Sequence, residues 1–320
     1  MKKNISKYLR IAVSIVLLFY LFYYLVDFNN LINILRSIKT GYLFLAILFF
    51  IMSIFAAAYR WQFVIAIKDR KMSYKACLRE YFIGTFFNNF LPGSIGGDIT
   101  RIIGASKEID SKEIALSSVV VERVIGLISL LTIGLLGFML LNISSGQGYL
   151  GISIILLATL TLSLFAVINK RTNIALCEII DTYLPKKISE SILVYLKDFA
   201  DYSSSIIKLF YVFVISFSFK IFDGFFVFFI LKSLDLNLTY AHAVALFSII
   251  NVIKMIPISF NGLGLSAISW VIILKSFDIN KDIAASIDFL TITISLVISG
   301  YGGFLYFFGS YKKNIANGPD

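Results

Sequence analysis

Runs of about twenty residues almost free of charge recur along this chain, from Tyr8–Val26 near its start to Ile283–Phe308 near its end. About twenty residues is the length a helix needs to cross the hydrocarbon core of a bilayer. Inside hydrocarbon each backbone N–H and C=O must find a partner within the protein, so a lipid-crossing segment of this kind is helical. With 58% hydrophobic and 15% charged residues, the chain has too little polar surface to cover a soluble fold. The expectation is an all-α integral membrane protein, a single polytopic domain over residues 1–320.

The net charge of +10 sits between the apolar runs, so it reads as topology. Lys68, Arg70, Lys71, Lys75 and Arg79 follow one run; Lys170, Arg171, Lys186, Lys187 and Lys197 fill the longest polar stretch; Lys312 and Lys313 follow the last run. Cytoplasmic loops collect Lys and Arg, which places the N- and C-termini inside. No basic stretch is interleaved with aromatics as in a nucleic-acid-binding module, so no nucleic acid is expected as a partner. Cys77 and Cys177 lie beside the basic loops, where a disulfide is not expected. His242 is the single histidine; neither a zinc site nor a Ser/His/Asp constellation can be built on it. No catalytic residue, metal or cofactor is therefore assigned. The N-terminal apolar run is too long for a secretory leader and is read as a first span with a basic flank, MKKNISKYLR.

Six full spans are expected, at about 8–26, 41–67, 111–141, 149–168, 206–231 and 283–308, with an interfacial helix within 29–40 and a cytoplasmic connection at 169–205. Two further apolar stretches, about 78–106 and 241–275, are broken at their centres. The first break is FNNFLPGSIGGDITR (Phe87–Arg101), the second KMIPISFNGLGLSAIS (Lys254–Ser269). Proline removes a helical donor and clashes with the preceding turn. Interrupted backbone at membrane depth survives only where protein or a water-filled cavity satisfies it. The flanking charges make both segments re-entrant hairpins, entering from opposite faces. Two similar Pro/Gly-broken segments in opposite orientation point to an inverted repeat with its binding site at the breaks.

Half-helix N-termini at such breaks bind phosphate or carboxylate. That makes Asn88, Asn89, Ser94, Gly96, Gly97 and Asp98 candidates for an anionic headgroup site at the first break. Ser259, Asn261, Gly262 and Gly264 take the same place at the second. Ionisable groups at membrane depth are functional hypotheses by default. Arg101 lies one turn after Asp98; together they suit a phosphate contact or a helix cap with a snorkelling Arg. Glu122 falls on a stripe of small and polar residues (Ser111, Ala115, Ser118, Gly126, Ser129) that should face protein. Arg123 lies about 100° away around the helix and pairs elsewhere. An ion pair from Glu122 to a re-entrant helix and a substrate contact are both open. Lys220 and Asp223 are three apart in mid-span and either neutralise one another or meet a headgroup; Lys254 stands beside the second break. Asp288, Thr291, Ser295 and Ser299 form a stripe read as packing, and His242, at a helix start, is read as a surface or capping residue.

The stretches FLPGSIGGDITR, AxxSVVVERVIGL (Ala115–Leu127) and IPISxxGLGxS resemble the transmembrane domain of the lysylphosphatidylglycerol synthase/flippase family, over nearly the whole chain in layout. Relatives there include stand-alone flippase-like proteins and archaeal proteins linked to dolichol-phosphate sugar pathways. The resemblance implies a stand-alone member without the aminoacyl-transferase domain, and translocation of a lipid or a supporting role rather than lysyl transfer. The second motif departs from the family's usual Pro-Gly-Gly-Leu-Gly with a following Glu: Phe260 and Asn261 replace Pro-Gly, and Ala267 stands near the Glu position.

The expected function is thus movement of an anionic phospholipid or lipid-linked (glyco)phosphate across a bacterial or archaeal plasma membrane. Anionic lipids or lipid-linked glycans are the expected partners, along with enzymes of envelope biosynthesis. Two alternatives stand beside it. One is a sugar transferase of a polyprenyl-phosphate pathway, for which the 169–205 connection offers carboxylates but no DxD-like pair. The other is a secondary transporter for a small anion, which the inverted repeat suits equally.

Overall fold

The computed structural model describes residues 28–90, 96–141, 206–255, 262 and 264–308, with isolated positions between 151 and 202. The expected spans 8–26 and 149–168 lie outside the described residues except for such isolated positions, as does nearly all of the 169–205 connection. The described elements are α1 Phe28–Arg36, α2 Thr40–Ile67, α3 Tyr74–Phe90, α4 Gly96–Ile109, α5 Lys112–Leu141, α6 Ile206–Ser233, α7 Tyr240–Lys254, α8 Leu265–Lys275 and α9 Lys281–Phe308. Among the described residues, α2, α5, α6 and α9 are long and apolar enough to cross a membrane. Their outward faces fit that role: Phe44, Ile207, Val297 and Phe308 are among the large apolar side chains left exposed, a surface that water would penalise and lipid does not.

The order of elements repeats. A long helix (α2, 28 residues) is followed by a shorter one (α3, 17), a Pro/Gly segment, another short helix (α4, 14) and a long one (α5, 30). The same series recurs as α6 (28), α7 (15), α8 (11) and α9 (28). The tight turns match as well. Asp69, Asp110, Asp235 and Asp278, one in each of the four turns flanking the short helices, adopt positive φ of 51–60°. Asp reaches this left-handed region more readily than most residues. At Asp235 and Asp278 it closes helix ends in which Leu236 N–H donates to Leu231 and Ile279 N–H to Leu274, the six-to-one bond of a Schellman end.

The chain packs as two compact units. One comprises Phe55–Leu78 and Arg101–Ile221; the other comprises Met1–Ile54, Arg79–Thr100 and Phe222–Asp320. In the first, Val64, Ile67, Val121, Ile125, Leu209 and Val212 form a buried cluster around Tyr202.

In the second unit α9 is the element against which others pack. On it Ala285 meets Ala267 of α8, with Leu35 of α1 alongside, and Asp282 accepts from Asn30 at 3.2 Å. Further along, Gly302 and Gly303 leave room for α3: a Cβ at 302 would overlap the Phe82 carbonyl oxygen, and one at 303 the Phe86 ring. Tyr301 and Tyr306 then take edge-to-face positions on Phe82 (5.3 Å) and Phe87 (4.8 Å). Small residues at a crossing let two backbones approach, which is the main source of helix association where lipid removes the hydrophobic driving force. An aromatic layer, Phe49 on Phe225 (4.9 Å) and Phe50 on Phe226 (5.0 Å), joins the first half of α2 to α6 in the same unit.

Candidate functional site

In the first unit, three helices bring charge to one buried point. Glu122 on α5 is 1% exposed, and both of its carboxylate oxygens accept from arginines: Oε1 from Arg60 of α2 and Oε2 from Arg101 of α4. Arg60 and Arg101 are themselves buried. The expected inward stripe on α5 explains how α2 reaches this point. Ser118 accepts from the Trp61 indole at 3.1 Å. One turn beyond Glu122, a Cβ at Gly126 would stand 3.1 Å from Arg60 Nη1, so glycine keeps the path of the guanidinium open.

The aromatic surroundings are as specific as the ion pairs. Arg101 Cζ lies 4.2 Å from the Trp61 ring centroid and Arg60 Cζ 4.6 Å from that of Phe219. Arg60 Nη1 also donates to Ser216 of α6 at 3.1 Å. Guanidinium planes stack on aromatic faces where an ammonium would need more water around it, so these rings lower the cost of holding two cations away from water.

The ion pair between a short helix and a spanning helix, one of the two readings of Glu122, is present. Arg101 provides it, while Asp98, buried in the first turn of α4, falls in the other unit. Arg123 is half-buried. Lys220 is half-buried with its ammonium 4.4 Å from the Phe219 centroid, and Asp223 is buried further along the same helix. Arg60, missing from the sequence-derived set, did leave a signal. It is the single charged residue among the 28 positions of the predominantly apolar α2, and a Trp follows it.

The second unit holds the flanks of both breaks; residues 91–95, with Ser94, and Ser259 and Asn261 lie outside the described residues. At the first break the Gly97 N–H donates to Asn88 Oδ1 at 2.8 Å, so the protein's own side chain occupies one of the first-turn donors expected to face an anion. A Cβ at Gly97 would overlap the Gly84 carbonyl oxygen, which explains a glycine there; Gly96 is buried beside it. Asn89 Nδ2 donates to Ser299 Oγ of α9 at 2.8 Å.

At the second break Gly262 and Gly264 have φ of +73° and +78°, where glycine alone is unstrained. Lys254 Nζ stands 3.9 Å from Asp288 Oδ1 of α9, and Ser266 Oγ donates to Asp288 Oδ2 at 3.0 Å. Asp288 thus joins Lys254 at the break, a place the reading of its stripe as packing did not give it. His242 does cap its helix, forming a capping box with Thr239.

Residues 8–302 match the family model described as the lysylphosphatidylglycerol synthase TM region. The chain therefore belongs to that family of polytopic membrane proteins. It is also similar to a UPF0104 membrane protein of Pyrococcus horikoshii, 24% identical over 137 residues. That similarity spans 42% of this chain and 41% of the relative's length.

Proposed function

We propose that the protein translocates an anionic phospholipid or a lipid-linked (glyco)phosphate across the plasma membrane of a bacterium or archaeon, without catalysing a covalent step. One observation carries the reading: Arg60 and Arg101, from two helices, converge on buried Glu122 in a chain whose neighbouring helices are built to lie in lipid. Removing three charged groups from water costs several kcal/mol per ion, and well-packed apolar residues often do as well or better for stability. Such a cluster is retained for what it binds or switches. Paired guanidiniums recognise phosphate oxygens bidentately, and opening one of the two bonds to Glu122 would present such a fork to a headgroup.

The two broken pairs support re-entrant hairpins in this reading. Both rest on α9: α8 at Asp288 through Ser266, and α3 at Ser299–Gly303 through Asn89 and Phe82. Eleven residues separate Asp288 from Ser299, roughly 16 Å along a helix axis. Hairpins held at two heights on one spanning helix suit entry from opposite faces. Acyl chains remain in lipid while the headgroup crosses. The Lys/Arg-rich α2–α3 turn faces the cytoplasm.

The test is transbilayer movement in proteoliposomes of labelled phosphatidylglycerol, lysylphosphatidylglycerol and a polyprenyl-phosphate sugar. Movement of one of them, reduced at least about tenfold in Arg101→Lys and Arg60→Lys, is expected, since lysine keeps the charge but loses the bidentate fork. Correctly folded protein that moves no anionic lipid, yet takes up a small soluble anion, would replace this reading with secondary transport. A sugar product released by the purified protein would replace it with transferase chemistry.

A further inference from the structure

The Asp288 cluster has a geometry that a packing contact does not need. Asp288 is 3% exposed. Its Oδ2 accepts from Ser266, but its Oδ1 is buried without a hydrogen-bond partner among the described residues. The ammonium of Lys254 stops 3.9 Å away from Oδ1, beyond hydrogen-bond distance. Lys254 keeps 25% of its side-chain surface against 4% for Asp288. The cation is partly exposed and its carboxylate is buried. Lys254 is also held from behind: a Cβ at Gly262 would approach Lys254 Cγ to 2.7 Å, so Gly262 packs directly on its stem.

Other charged groups lie elsewhere on the neighbouring elements. On α9 the next acidic side chain is Asp282, six residues earlier, which accepts from Asn30 of α1; the charge of α1 itself is exposed Arg36. From α8 the group that meets Asp288 is the neutral Ser266, its charged Lys275 being exposed at the far end. On α7, His242 is twelve residues before Lys254 and bonds to Thr239. Where α3 meets α9 near Ser299, it brings the neutral Asn89. Lys254 is therefore the counter-charge of Asp288.

We propose that Lys254 and Asp288 form a proton-coupling site, in which an anionic phosphate diester that takes over Lys254 obliges Asp288 to bind a proton. This rests on the anionic-substrate reading above and adds to it a driving ion. A buried carboxylate with a single hydrogen bond keeps its charge only while a cation stands by. When the ammonium turns to the ligand, Oδ1, which has no hydrogen-bond partner among the described residues, takes the proton that neutralises it. One proton from solvent is taken up for each anion bound, no covalent bond of the ligand changes, and both leave together.

Linkage fixes the sign. Proton uptake on binding makes the affinity for a diester fall by up to about tenfold per pH unit, as pH rises between the carboxyl's free and ligand-bound pKa values. The experiment is calorimetric titration of the whole protein in non-ionic detergent, near neutral pH, in buffers of differing ionisation enthalpy. The probes are short-chain phosphatidylglycerol and dimethyl phosphate, two diesters that do not titrate in this range and that separate a lipid from a free anion as the source. The expected result is uptake approaching one proton per ligand in the wild type. Asp288→Asn should bind with no proton uptake and a flat pH profile, and Lys254→Gln should lose binding of both probes. Binding by the wild type without proton uptake overturns the coupling and leaves the anionic-substrate reading standing; no binding of either diester overturns both. If Asp288→Asn does not fold, Ser266→Ala serves instead, with its pH profile displaced to higher pH because the charged carboxylate has lost its hydrogen bond. An unmoved profile in a folded Ser266→Ala protein counts against the site.

Discussion

Replacing Glu122 with glutamine would leave Arg60 and Arg101 facing a neutral amide inside a buried, aromatic-lined space. Breaking a buried ion pair by removing one partner costs about 3–5 kcal/mol, because a buried charge is left uncompensated. Glu122→Gln should therefore lower thermal stability in detergent by about that amount. The double variant with Arg101→Gln should lose less than the sum of the two singles, since groups in one network are not additive. Additive losses would mean that the two side chains do not share their energy as the geometry implies. This residue-scale arrangement was half legible. The stripe on α5 announced that Glu122 faces protein; which cations it meets depends on how three helices cross, and spacing along one helix carries no information about that.

Glycine decides the helix crossings, and it does so at particular positions. Gly300 and Gly302 lie two residues apart on α9, yet a Cβ at 300 meets nothing within 4 Å, whereas one at 302 would overlap the backbone of Phe82. Gly302→Ala should cost about 1–3 kcal/mol through overpacking, and Gly300→Ala should be neutral or slightly stabilising, since alanine is the better helix former. Thermal unfolding of the two variants side by side checks this; equal effects would contradict the close approach of α3 to α9. At the same scale, helix boundaries expected from apolar runs and Pro/Gly punctuation fall close to those found: 41–67 against Thr40–Ile67, 206–231 against Ile206–Ser233, 283–308 against Lys281–Phe308. Long apolar periodic segments specify their own state, because in lipid a helix is the one way a single segment satisfies its backbone.

For the molecule as a whole, the span expected from the sequence at 149–168, together with α5 and α6, gives three crossings between the α2–α3 turn and the α6–α7 turn when both breaks are re-entrant. The prediction is that these two turns face opposite sides of the membrane. Lys39 and Asp235, paired at 2.7 Å, put the start of α2 on the same side as the α6–α7 turn. With Cys77 and Cys177 replaced by serine, Lys71→Cys should react with an impermeant thiol reagent from the cytoplasmic side and Asn237→Cys from the outer side. Labelling of both from one side would overturn the inverted arrangement.

Sequence alone determined that this chain is helical and lies in a membrane, where the long helices among the described residues start and stop, and that two Pro/Gly segments interrupt it. Those properties follow from hydropathy over about twenty residues and from local backbone chemistry, both of which act within a segment. Tertiary structure decided which ionisable groups meet. Arg60 and Arg101 share Glu122, and Asp288 stands against Lys254, although 62 residues separate Arg60 from Glu122. Such pairings depend on how helices cross, and in lipid the crossing is set by where small side chains let backbones approach, a property of two surfaces together that neither helix carries by itself.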